Sequence, residues 1–140
     1  MKRFRYLLII LLMAAAVLFL SKFFERPHTV TYEEFAERIV FTSKSGYQMT
    51  IYEDQMRRLQ FVEKMDFGTK ISGTSTRAEK SGTWKNDEFG EYFCCADGTV
   101  DCAIVVKTTT HTYVANCESE EETLKLFDIV SYMLAYDCEG

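Results

Sequence analysis

The chain has 140 residues, 47% of them hydrophobic, with 11 Phe, 8 Tyr and a single Pro, and a formal net charge of −5. That length holds one small domain and one membrane segment, and the aromatic content excludes a disordered chain. The charge is uneven: residues 1–26 are net basic, whereas the remainder carries eleven basic and twenty acidic groups, which argues against DNA, RNA or an anionic lipid surface as the main partner.

The N-terminus comes first. Tyr6 to Leu20 is fifteen residues without a charge, roughly 22 Å as a helix against a hydrocarbon core of ~30 Å. Phe4, Phe23 and Phe24 extend it, with Lys22 snorkelling. A cleaved signal peptide shares this anatomy. Here, however, the apolar run ends Val17-Leu18-Phe19-Leu20, and its three alanines lie mid-segment. An uncleaved transmembrane anchor over residues 1–26 is therefore expected. Lys2, Arg3 and Arg5 precede the segment and Lys22 and Arg26 follow it. The positive-inside rule then leans towards a single-pass cell-membrane protein with an extracytoplasmic domain.

Residues 27–46 read as a linker with a short helix or strand. Pro27 stops any continuation of the anchor helix. Thr31 and Glu34 have capping-box spacing, which predicts a helical turn over Tyr32 to Glu37. Arg38 to Thr42 reads as extended, and Ser43 to Gly46 as a turn.

The domain proper is expected over 47–137. Tyr47, Met49 and Ile51 alternate along one strand, and Leu59 and Phe61 share a face of a second, Met56 to Val62. Asp66-Phe67-Gly68 is a turn before a short strand, Thr69 to Thr74. Ser75 to Ser81 reads as a loop and Gly82 to Lys85 as the next strand. Ala96-Asp97-Gly98 joins Glu91–Cys95 and Cys102–Lys107 as a hairpin, because Asp-Gly is a strong turn signal. Thr112 to Asn116 is the last strand, the seventh counted from Tyr47. Ser119 stands three residues before Glu122, a capping-box spacing, with Glu120, Glu121 and Glu122 at the favourable end of the helix dipole. Leu126, Phe127, Val130, Met133 and Leu134 then share one helical face. The fold class is mainly β with one C-terminal α-helix. The expected form is a seven-stranded, partly open barrel, or two packed antiparallel sheets, capped by helix 119–135.

Seven strands and a terminal capping helix form the pleckstrin-homology (PH) layout. The segments SGYQMTIYEDQMRRLQFVEKM, FGTKISGT before Gly82-Thr83-Trp84, EFGEYFCC and IVVKTTTHTYVANCESEEETLKLF carry a closer likeness. Over residues 29–135 the chain resembles bacterial PH-like domains of small membrane-anchored proteins. It departs from that pattern at Lys70 and Ser72, where Arg and Asn are expected before the glycine, and in its five cysteines. The resemblance implies a non-catalytic protein or peptide interaction module, often in assemblies, with no catalytic residues and no cofactor. Phosphoinositide binding is not expected, because the first hairpin loop offers Glu53 and Asp54, which repel phosphate.

Candidate sites are few. Lys70, Arg77, Lys80 and Lys85 lie in a basic stretch, residues 57–85, and read as a docking point for a carboxylate- or phosphate-bearing partner or as solvated edge lysines. Trp84 reads as core packing or as an exposed stacking platform. The cysteines read first as small buried hydrophobes, with a disulfide of Cys102 to Cys95 or Cys94 across the hairpin as the alternative. Cys117 and Cys138 flank a continuous helix too long to bridge. A metal site from Cys94, Cys95, Cys102, His111 and Cys117 is disfavoured, since vicinal Cys94 and Cys95 point to opposite faces of a strand. His28 and His111 read as lone surface histidines, with no nucleophile at a base-pair spacing. The expected function is a membrane-anchored binding module. The alternatives are a structural, self-associating envelope protein and a Cys- or metal-dependent enzyme.

Overall fold

The computed structural model describes residues 2–23 and 29–139, with side chains over 2–20 and 29–135. Phe24, Pro27 and His28 lie outside the described residues, as do the side chains of Lys22, Phe23 and Cys138. Helix α1 (Lys2–Phe23) has 22 residues, about 33 Å at the α-helical rise. It therefore exceeds the uncharged stretch, and the window Lys2–Leu20 has a mean hydropathy of 2.1. By length and composition it fits a membrane span, as a signal sequence near an N-terminus also does.

Among the described residues, nine strands follow in two sheets. β1 (Val30–Glu34), β2 (Arg38–Ser43) and β3 (Gln48–Tyr52) form an antiparallel sheet in the order β1-β2-β3. Of the turn foreseen as helical at Tyr32–Glu37, residues 32–34 are strand β1 and 36–37 are a bend. Val30 to Glu34 pair with Ser43 to Ile39 of β2, and the Tyr32 ring lies 6.1 Å from Phe41. Cross-strand pairing outweighs the local capping signal there. Residues 30–43 are thus not only a connector: Val30, Ile39 and Phe41 are core residues.

The larger sheet holds β4 (Met56–Val62), β5 (Thr69–Ser75), β6 (Glu79–Asn86), β7 (Gly90–Asp97), β8 (Ala103–Thr108) and β9 (Thr112–Ala115). Its order is β4-β8-β9-β7-β6-β5. The seven strands counted from residue 47 are all present, as β3 to β9. β6 starts at Glu79, three residues before the sequence placed it. The expected β7–β8 hairpin is absent: β9 lies between the two strands, antiparallel to β8 and parallel to β7. Buried Asn116 explains this. Its Oδ1 accepts from the Asp97 amide at 2.6 Å, and its Nδ2 donates to the Asp97 carbonyl at 2.9 Å. The end of β9 thereby takes the place beside β7 that β8 was expected to fill. The sheet is mixed rather than antiparallel.

β4 and β5 are opposite edges of this sheet, yet only residues 63–68 join them. Laid flat, five strand spacings need about 24 Å, the full reach of that segment if extended. The segment instead contains a turn, where the Gly68 amide donates to Asp66 Oδ1. The sheet must therefore curl. Its edges do not pair, so it does not close into the barrel considered from the sequence. The Met65 amide donates to Asp101 O, Asn86 Nδ2 to Asp66 O, and the Tyr92 hydroxyl to Phe67 O, holding the crossing segment in place.

Two cores result. On one face of the large sheet, Cys95, Ile104, Val106 and Ala115 meet Ile39, Phe41, Met49 and Ile51 of the small sheet. Beside them, helix α2 (Glu120–Glu139) buries Leu126, Val130 and Met133 on the same face, and Phe127 packs edge-on to Phe61. This is the helical face read from the sequence. On the other face, Trp84, Tyr92, Cys94, Ala96, Val105 and Val114 are covered by Val62, Met65, Phe67 and Phe89.

Candidate functional site

Strand β5 is the most exposed strand of the domain, with six of its seven residues open to solvent. It pairs with β6 alone, so one row of its peptide groups is free for a further strand. Two glycines set its geometry. Gly73 (φ +113°) lies opposite Gly82 (φ +101°). A Cβ on Gly73 would come within 2.2 Å of the Ser81 carbonyl oxygen, and one on Gly82 within 2.3 Å of Ser72 O. The two backbones thus cross at a distance that only glycine allows.

The pairing places the four basic candidates. Lys70 stands opposite Trp84, and Lys80 opposite Ser75, so both belong to the Trp84 face of the ribbon. They are about 13 Å apart along it, four strand residues. Lys85 alternates to the opposite face, and Arg77 occupies the exposed turn before β6. The four do not converge on one hairpin end. They are spread over two faces and a turn, unsuited to gripping one compact phosphate; Lys70 and Lys80 alone share a face, suited to an extended partner. Lys80 is half-buried, its Nζ 5.5 Å above the Trp84 ring and 3.2 Å from Ser75 Oγ. Trp84 itself is buried and donates Nε1–H to Ser81 O at 3.0 Å. Its ring belongs to the second core and offers no platform to a ligand.

Glu79 ties this ribbon to the small sheet. Its carboxylate accepts from the Ser45 amide at 2.9 Å, the Ser45 hydroxyl at 2.5 Å and the Ser81 hydroxyl at 2.7 Å. Burial alone would raise its pKa, but these donors outweigh that and hold it below the ordinary value. Sequence reading placed Glu79 in a loop and missed it, because its partner Ser45 belongs to the distant β2–β3 turn.

Four cysteines are small buried residues, and the alternative, a disulfide across the hairpin, is not formed. With β9 between β7 and β8, Cys95 and the β8 row lie two strand spacings apart, about 9.6 Å, beyond the ~7 Å Cα limit of a disulfide. Cys94 and Cys95 also belong to different cores. Cys94, Cys95, Cys102 and Cys117 are all free and buried. Burial pushes Cys95 and Cys117 up to about 12, which disfavours the reactive thiolate. Among the described residues no group of three or more His, Cys, Asp or Glu side chains is placed to hold a metal ion.

One feature was not read from the sequence. Exposed His111 stacks edge-on to Phe93 at 5.1 Å and to Tyr113 at 6.3 Å, beside a 140 Å³ hollow also lined by Thr83 and Glu91. The cluster depends on the parallel pairing of Phe93 with Tyr113, for which the sequence has no local signal. No protein-family model, curated protein or solved structure matches the chain.

Proposed function

We propose that this chain is a membrane-anchored, non-catalytic interaction module whose docking element is the free edge of β5. α1 is the anchor, and the basic residues before it orient the domain outward. The occupant of the edge is an extended, acidic segment of a partner protein, added as a further strand. One observation carries the reading: β5 pairs on one side only and exposes six of its seven residues, with Lys70 on the strand itself and Lys80 and Lys85 on the adjoining β6. Lys70 on the open edge, with Lys80 on the same face of the adjoining strand, complements carboxylates spaced along a strand. The resemblance to bacterial PH-like domains points to the same class of activity.

The test is a photo-crosslinking residue at exposed position Ile71, in intact cells, with and without Lys70→Glu. A crosslinked partner that disappears in the Lys70→Glu protein, with its thermal melt unchanged, supports the reading. An unchanged crosslinking pattern removes the basic edge from the proposal. A crosslink to a second copy of the chain would replace the acidic partner by self-assembly.

A further inference from the structure

We propose that Cys102 and Cys117 form an unassigned modification site, a dithiol that closes to a disulfide by exchange with a small-molecule disulfide. The β8–β9 register pairs Ile104 with Ala115. Continued antiparallel by two residues, it sets Cys102 opposite Cys117. Side-chain bonds hold the two segments there after the ladder ends. Asn116 Nδ2 donates to Cys102 O at 3.1 Å, fixing the first cysteine to the residue next to the second.

One hydroxyl then joins both cysteines to helix α2. Thr123 Oγ1 accepts from the Cys117 amide at 3.0 Å and donates to Ser119 O at 2.8 Å, and the same side chain lies near enough to Cys102 to act on its thiol. Both sulfurs thus belong to the face of the sheet on which the helix lies. Cys94 and Cys95 have no such neighbour, since the register sets them beside Val114 and Ala115.

Open clefts reach the pair from two sides. Cys102 lines one of about 490 Å³ with Glu63, Asp101 and Glu120. Cys117 lines another of about 420 Å³ with Val30, Tyr32 and Glu122. Both linings are acidic, so a cationic disulfide such as cystamine is the appropriate reagent. The thiolate of one cysteine attacks a cystamine sulfur and expels one cysteamine thiolate, leaving a mixed disulfide. The other cysteine loses its proton and attacks the protein sulfur of that mixed disulfide, expelling the second cysteamine. Two S–H bonds are lost and one S–S bond forms, and the two electrons reduce cystamine. Burial raises both thiols above their ordinary value, so the exchange is slow, on the order of hours.

The experiment uses the full chain in detergent micelles, incubated with cystamine at about pH 8, then denatured, alkylated and digested. Trypsin separates Cys117 from the others after Lys107, and an Asp-directed protease separates Cys102 from Cys94 and Cys95 at Asp97 and Asp101. The expected product is a Cys102–Cys117 linked peptide that dithiothreitol dissolves, with a melting temperature raised by roughly 10 °C over the reduced protein. Cys94→Ser should still form it, and Cys102→Ser and Cys117→Ser should not. Linkage through other cysteines would overturn the proposal. So would mixed disulfides alone, or full retention of thiols in folded protein under conditions that oxidise the denatured chain. The wild-type peptide map decides the matter even if a variant fails to fold.

Discussion

A methyl group on Gly73 or Gly82 would collide with backbone atoms of the opposite strand rather than with a side chain able to move aside. Gly73→Ala and Gly82→Ala should each destabilise the domain by more than about 2 kcal/mol, measured by denaturant unfolding in detergent. Gly46→Ala, where a methyl meets nothing within 4 Å, should cost less. Glu79 makes a different prediction, in pH. Its carboxyl is depressed in the fold, so its contribution is fully present above the ordinary value of 4.5 and is lost as pH falls through the lower folded value. Glu79→Gln should lower stability at neutral pH by about 2 kcal/mol, and the variant should lack this step of the acid transition. The sequence reading put Gly82 at the start of a strand and did not pair it with Gly73. That Gly73 and Gly82 face each other follows from the β5–β6 register, which shifts between Lys70 and Ser72.

At the scale of elements, α2 is the part most legible in advance, because its signals are local. Ser119 Oγ accepts from the Glu122 amide at 3.2 Å, as the spacing implied, whereas the Glu122 carboxylate binds Lys125 at 3.2 Å. Ser119→Ala should cost about 1 kcal/mol, and Leu126→Ala, which empties a fully buried site, about 2–5 kcal/mol. Thermal melts followed by circular dichroism would separate the two. The strands were legible singly, since alternation gave Met49, Ile51, Leu59 and Phe61 their faces. Their order was not. An Asp-Gly turn predicts adjacency of the strands on either side, and nothing near Asp97 in the sequence announces that Asn116 will take that place. The cysteine pairing failed with the hairpin on which it rested.

For the whole molecule, burial of four thiols decides how they report on topology. Cys94 and Cys95 are fully enclosed, and Cys102 and Cys117 nearly so. In a Cys138→Ser protein, an impermeant thiol reagent should therefore label the native form weakly and the denatured form strongly, whichever side of a membrane the domain occupies. The same reagent added to intact and then to broken cells reads the side only if mild denaturation is included in both arms. Rapid labelling of these four thiols in the native Cys138→Ser protein would contradict this burial. The acidic surface and basic edge also make partner binding dependent on ionic strength. Raising salt from 50 to 300 mM should weaken an acidic partner at β5 and leave the melt nearly unchanged.

The placement of β9 has a consequence for synthesis. Met56 pairs with Thr108 and Val62 with Ala103, and β7 acquires its second neighbour only at Tyr113 to Ala115. The centre of the large sheet is thus laid down last, after both of its edges. Contacts this distant along the chain make for slow folding. β4 to β7 must wait with unpaired edges until nearly the whole chain has emerged. A nascent chain stopped at residue 102 should remain protease-sensitive and should associate readily with chaperones, whereas one extended past the end of α2 should acquire resistance in a single step.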